Sequence, residues 1–158
     1  MHTINFIAGI VTILSIAIVF GTDFFFAFVG KKALLRSDEA SMINVIGNMH
    51  EIADKRMPIV GATAMLGTVY LVVFKGFGTP DLTLFLIALV ALLVHLMLYL
   101  LVAKPVNEKM EEAVKYGRIL MNARALQKKW DSVIVFRTVA LSIAMVFTLF
   151  GVLSQHFR

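Results

Sequence analysis

The sequence predicts an all-α integral membrane protein, a four-helix up-and-down bundle whose helices extend past the bilayer on the cytoplasmic side. Three observations predict it. Apolar residues (A, V, I, L, M, F, W, Y, C) make up 59% of the 158-residue chain and charged residues only 16%, with a mean hydropathy of +0.87. A soluble domain is about a quarter charged, and one this small leaves too much surface exposed to hide so many apolar side chains. Four apolar stretches each come close to the ~20 residues that a helix needs to cross hydrocarbon. The cations, finally, gather in two of the segments that separate those stretches. The same composition excludes disorder. With no cysteine, disulfides, Cys-ligated zinc and Cys-ligated iron–sulfur clusters are excluded as well. The net charge of +5 would suggest nucleic acid in a soluble protein. Here it belongs to one face of a membrane, and no nucleic-acid partner is expected.

The chain reads as a single membrane domain over 1–158. Its first span runs from about Asn5 to Val29; no Lys or Arg precedes it, its core is too long, and no small-residue cleavage site follows, so it is not read as a signal peptide. Proline marks the joints: Pro58 opens the second span (58–74), Pro80 precedes the third (82–103) and Pro105 follows it. The fourth span covers about 132–153. Between spans one and two lie Lys31, Lys32, Arg36, Lys55 and Arg56; between three and four lie Lys104, Lys109, Lys115, Arg118, Arg124, Lys128 and Lys129. Only Lys75 and Arg158 fall on the other side. The positive-inside rule then puts both long segments in the cytoplasm and both termini outside it, in a bacterial cytoplasmic membrane. The segment 37–57 starts on Ser37, carries acids in its first turn and places Met42, Val45, Ile46, Met49, Ile52 and Ala53 at helical spacing. In 105–129, VNEKMEEAVKY reads as a helix ending before Gly117, and a second helical piece from Asn122 runs on into span four.

Ionisable residues inside a span are costly and ordinarily face a partner or a cavity. Three stand out, in three different spans: Asp23, His95 and Arg137. Counted at 1.5 Å per residue, Asp23 and Arg137 lie roughly 9 Å below the cytoplasmic boundary and His95 about 12 Å. Asp23 and Arg137 are therefore expected to pair, each lowering the cost of burying the other. Just above that level, His50 and Asp54 are four residues apart on one helical face, and Arg56 follows. A carboxylate beside a histidine fixes its tautomer and raises its basicity, which suits a general base or a haem ligand. Trp130 shares a face with Arg137, and Tyr99 a face with His95. Each residue also has a plainer reading. A buried ion pair more often locks a bundle than catalyses, a lone buried histidine more often satisfies an interhelical hydrogen bond, and Trp130 is an ordinary belt aromatic. It is their convergence at one depth that points to a site. No metal site is expected; haem, if present, would use His50 or His95.

Four stretches taken together, GTDFFFAFVGKKAL, MHEIADKRMPIVG, AKPVNEKM and KKWDSVIVFRT, resemble the anthrone oxygenase-like family of small four-span membrane proteins, in the same order over nearly the whole chain. The resemblance implies oxidation of anthrones to anthraquinones without a soluble cofactor. Its polar motif positions here are Asp23, His50, Asp54, Arg56, Asn107, Trp130 and Arg137, while His95 falls outside them. The chain carries no GxSxG, Walker loop, GxGxxG or HExxH to suggest another chemistry.

Two functions follow as expectations. In the first, a membrane oxidoreductase takes a lipophilic aromatic, such as an anthrone or a quinol, laterally from the bilayer. His50, held by Asp54, removes a proton, Arg137 or Arg56 stabilises the anion, and Asp23, His95, Tyr99, Asn107 and Trp130 line or brace the pocket. In the second, the chain is a non-catalytic accessory or scaffold subunit of a respiratory or photosynthetic complex. Lipids are partners in both, with a homo-oligomer or a larger membrane complex as the possible assembly.

Overall fold

The structure, a computed structural model, describes residues 2–74 and 79–156, apart from the side chains of His2, Gln155 and His156. Among these residues four helices are long and apolar enough to cross a membrane: Thr3–Arg36, Glu39–Val73, Pro80–Lys115 and Ala123–Ser154. The first comprises α1 (His2–Phe25), a π-helical turn π1 (Phe26–Gly30) and α2 (Lys31–Arg36); the second is α3 (Glu39–Val73). The third comprises α4 (Pro80–Leu98), a second π-turn π2 (Tyr99–Ala103) and α5 (Lys104–Lys115), and the fourth is α6 (Ala123–His156). A helix of 35 residues, such as α3, is about 52 Å long, well beyond the ~30 Å of a hydrocarbon core.

Hydrogen bonds between distant parts of the chain give the expected up-and-down order. Tyr70, late in α3, donates to Asn5, early in α1, at 3.0 Å. Ser154, late in α6, donates to Asp81 at the start of α4 at 2.5 Å. At the opposite, charged end, Arg124 of α6 donates from Nη1 to the Leu34 carbonyl at 2.9 Å and from Nη2 to the Ser37 carbonyl, while its backbone N–H meets Glu39 at 3.2 Å. One cation thus closes the C-terminus of the first helix, where free carbonyls and the dipole favour positive charge. Lys75 and Arg158 lie outside the described residues.

Several joints differ from those the sequence suggests. Pro58 does not open a helix but sits inside α3. It removes one N–H and crowds the Asp54 carbonyl, a cost of about 3 kcal/mol in an isolated helix. The helix continues because the turns on both sides are packed, through Met42, Ile46 and His50 on one and Ala64, Thr68 and Leu71 on the other. Pro105 does not end the third helix either. The Lys104 N–H reaches back five residues to the Tyr99 carbonyl, and this wider turn eases the clash between the proline ring and the turn before it. The start of α3 is capped by Asp38, whose carboxylate accepts the Ser41 N–H at 2.9 Å, and not by Ser37, whose hydroxyl instead donates to Ala33 at 3.0 Å. Hydrogen bonds from Ser41 hold the Asp38 carboxyl below the usual carboxylate range. Gly117 ends α5 as expected: its φ of +59° is a left-handed conformation that glycine adopts without strain.

The interior is layered. Leu34, Met42, Ile46, Val106, Met110, Leu126 and Ile134 pack together at the charged end, Ile16, Val19, Ala64, Leu92 and Leu141 at mid-bundle, and Leu71, Phe85 and Val152 toward the termini. At some glycines a neighbouring helix leaves no room for a side chain. A Cβ on Gly47 would lie 2.7 Å from the Met110 carbonyl oxygen, which is backbone and cannot swing away, whereas one on Gly61 would meet nothing within 4 Å. Gly47→Ala is therefore expected to destabilise the bundle by about 1–3 kcal/mol through overpacking. Gly61→Ala is expected to be neutral or to stabilise by up to ~1 kcal/mol through helix propensity. Unfolding in detergent followed by circular dichroism checks both, and equal responses would contradict the close approach of α3 to α5.

Candidate functional site

Between the charged-end layer and the mid-bundle layer the interior turns polar. Asp23 lies in α1 three residues ahead of π1, His95 in α4 four residues ahead of π2, and Arg137 in α6. Arg137 Nη2 donates to Asp23 Oδ1 at 2.9 Å; His95 Nε2 stands 3.2 Å from Asp23 Oδ2 and 3.5 Å from Arg137 Nη2. Asp23 is 3% exposed and Arg137 7%. The pair expected from depth alone is present, and His95 joins it although it lies outside the family-like motifs. Counting residues from the span ends was enough here because helix rise is fixed, so equal depth in antiparallel neighbours means proximity.

Aromatic rings enclose the triad on the charged side. The Arg137 guanidinium carbon stands 5.6 Å from the centre of the Tyr99 ring and 5.9 Å from that of Trp130, both within cation–π range. Trp130 meets Phe26 edge-on at 5.4 Å and the His50 ring at 5.8 Å. Phe26 and Tyr99 are the first residues of π1 and π2. The two π-turns, a form that recurs at functional positions, thus begin at the very residues that border the cluster. Sequence reasoning missed Phe26 and both π-turns. A π-turn keeps the composition of the helix around it, and Pro105 was the one local hint.

Other expected contacts are rearranged. Asp54 does not hold His50: its carboxylate accepts both hydrogen bonds from Asn107 Nδ2, each 3.1 Å long, and faces the Tyr99 phenol. Sharing a helical face brings residues four apart close, but His50 turns inward to Trp130 while Asp54 turns toward α5. Arg56 is exposed. A second buried polar pair, Gln127 donating to Asp131 at 2.9 Å, sits on α6 beside Trp130; its four-residue spacing was a legible signal.

Three buried nitrogens of the cluster have no hydrogen-bond partner: His50 Nε2, Trp130 Nε1 and Arg137 Nε. The indole and guanidinium atoms can only donate, and a buried unsatisfied donor costs about 1–3 kcal/mol. Two buried acceptors nearby, Asn107 Oδ1 and Gln127 Oε1, are likewise without a partner, so no acceptor reaches the indole and guanidinium donors. Of the two histidines, His95 commits its Nε2 to Asp23 and Arg137, and His50 alone offers a free Nε2 to a proton or a ligand. Among the described residues no group of three or more His, Cys, Asp or Glu side chains is placed to hold a metal ion.

No protein-family model, characterised protein or solved structure matches the chain.

Proposed function

We propose that the protein is an integral membrane oxidoreductase that oxidises a lipophilic aromatic of the anthrone or quinol type in this cluster. The observation that carries the reading is the set of three partnerless buried nitrogens inside a ring of aromatics. A flat ring system bearing one oxygen gives the indole and guanidinium donors an acceptor, presents its acidic C–H to His50 Nε2, and suits the aromatic surround. His50 Nε2 takes a proton from the substrate, leaving the electron pair on the ring system, and the developing oxyanion lies against the Arg137 and Trp130 N–H groups. With molecular oxygen as the oxidant, the electron-rich carbon adds oxygen, the resulting peroxide takes the proton back from His50, and the hydroperoxide loses water to leave a carbonyl. One anthrone and one oxygen molecule thus give one quinone and one water. Oxygen uptake by reconstituted protein, compared with that of His50→Ala, tests the reading.

The cluster would face the cytoplasm of a bacterial cell, with both termini outside. The support is that twelve of the fifteen Lys and Arg residues fall in the two segments at the charged end. Alkaline phosphatase fused after Arg158 is then expected to be active; an inactive fusion alongside an active cytoplasmic reporter at the same site would reverse the orientation.

A second reading, an accessory subunit of a larger complex, draws on one observation. Ile119 and Met121 are 92% and 95% exposed in the turn between α5 and α6, about 20 Å along the bundle from Ala103 by helix rise. That is too far from the span to be covered by lipid. Stoichiometric co-migration with a complex on native purification would favour it.

A further inference from the structure

We propose that the first helix binds one anionic phospholipid on its outer face, where that helix leaves the hydrocarbon at the charged end. Phe20, Phe24, Phe28, Lys32 and Arg36 follow one another at four-residue intervals, so a single stripe changes from aromatic to cationic along its length. The rings form a ladder: Phe20 and Phe24 stand 5.5 Å apart, and Phe24 stacks on Phe28 at 4.4 Å. Phe24 is 43% exposed and Phe28 61%, facing away from the bundle. Directly above them Phe28, Val29, Lys32, Ala33 and Arg36 line a shallow recess of about 270 Å³, with the small Ala33 between the two cations.

The charges select the occupant. Elsewhere at this end Lys55 pairs with Glu51 at 2.8 Å, Lys104 with Glu108 at 3.7 Å, and Arg124 is taken up by carbonyls. The exposed Arg56, Lys109, Lys128 and Lys129 also have no ion pair among the described residues, but they are not among the residues lining this recess. Lys32 and Arg36 are exposed, and neither has an acidic partner among the described residues. Two unpaired cations one turn apart, immediately above an apolar ladder, match the two halves of a single molecule. A phosphate accepts from Arg36 and Lys32, and an acyl chain lies along the exposed Phe28 and Phe24, with Phe20 below them turned toward the core. A zwitterionic headgroup is a poorer match, because its own ammonium opposes the two side chains. The site shares no residue with the polar cluster and rests on the membrane reading alone.

Native mass spectrometry of the full-length chain in detergent, with phosphatidylglycerol or phosphatidylcholine added, tests the proposal. One retained phosphatidylglycerol is expected, in preference to phosphatidylcholine. Each cation near an anionic headgroup is worth about fivefold in affinity, so Lys32→Gln with Arg36→Gln is expected to weaken retention roughly twenty-five-fold. Lys128→Gln with Lys129→Gln removes the same charge from exposed positions outside the recess and is expected to leave retention within about twofold. All four side chains are exposed, so folding is not at issue. Equal loss in both double variants, equal retention of the two lipids, or displacement by millimolar inorganic phosphate would each overturn the proposal; the last would show a free-anion site.

Discussion

Replacing Arg137 with Gln is expected to cost the folded protein about 3–5 kcal/mol, because it leaves the Asp23 carboxylate buried at 3% exposure without its cation. Total stabilities run to only about 5–15 kcal/mol, so this single change should bring the bundle near its unfolding threshold. Asp23→Asn is expected to be damaging for the converse reason: it strands a 7%-exposed guanidinium whose Nε already lacks a partner. The double variant, Asp23→Asn with Arg137→Gln, removes both charges and puts two amides in their place. It is expected to be more stable than either single variant, with a coupling of at least ~1 kcal/mol in a double-mutant cycle. Unfolding midpoints in detergent measure this. Strictly additive losses would mean that the ion pair contributes nothing as a pair.

The fold was legible because its signals are long and redundant. Four apolar runs, caps and a one-sided set of cations all say the same thing, and no single misread residue can undo them. The Asp23–Arg137 contact was legible for a different reason: helix rise converts sequence position into depth, and few ionisable residues share that depth. What was lost lies below one helical turn. Pro58 and Pro105 suggest boundaries because proline destabilises a helix locally, yet tertiary packing around α3 and the π-turn ahead of Pro105 override that preference. His50 and Asp54 were expected to touch because residues four apart are neighbours on a helix surface. Spacing gives neighbourhood but not direction, and Asn107 on a third helix supplied the better partner for Asp54. The position of Arg56 in the chain places it near the cluster, but its helical phase carries it to the exposed face. The unpaired nitrogens of His50, Trp130 and Arg137, on which the functional proposal rests, had no sequence signal at all. They emerge only when α3 and α6 are packed together.

Oxygen uptake by the protein in proteoliposomes supplied with an anthrone tests the central claim most directly, with His50→Ala measured beside the wild type. General-base catalysis is commonly worth about 10²–10⁴ in rate, so the variant is expected to lose at least a hundredfold of the uptake above the lipid-only rate. Binding can be followed in the same sample, since Trp130 is the single tryptophan of the chain and lies in the cluster. Its emission is expected to be quenched by the anthrone in both proteins, which separates loss of the base from loss of the site. Wild-type uptake no faster than lipid alone, with Trp130 emission unchanged, would contradict the account. So would a His50→Ala protein that binds the anthrone and consumes oxygen as fast as the wild type.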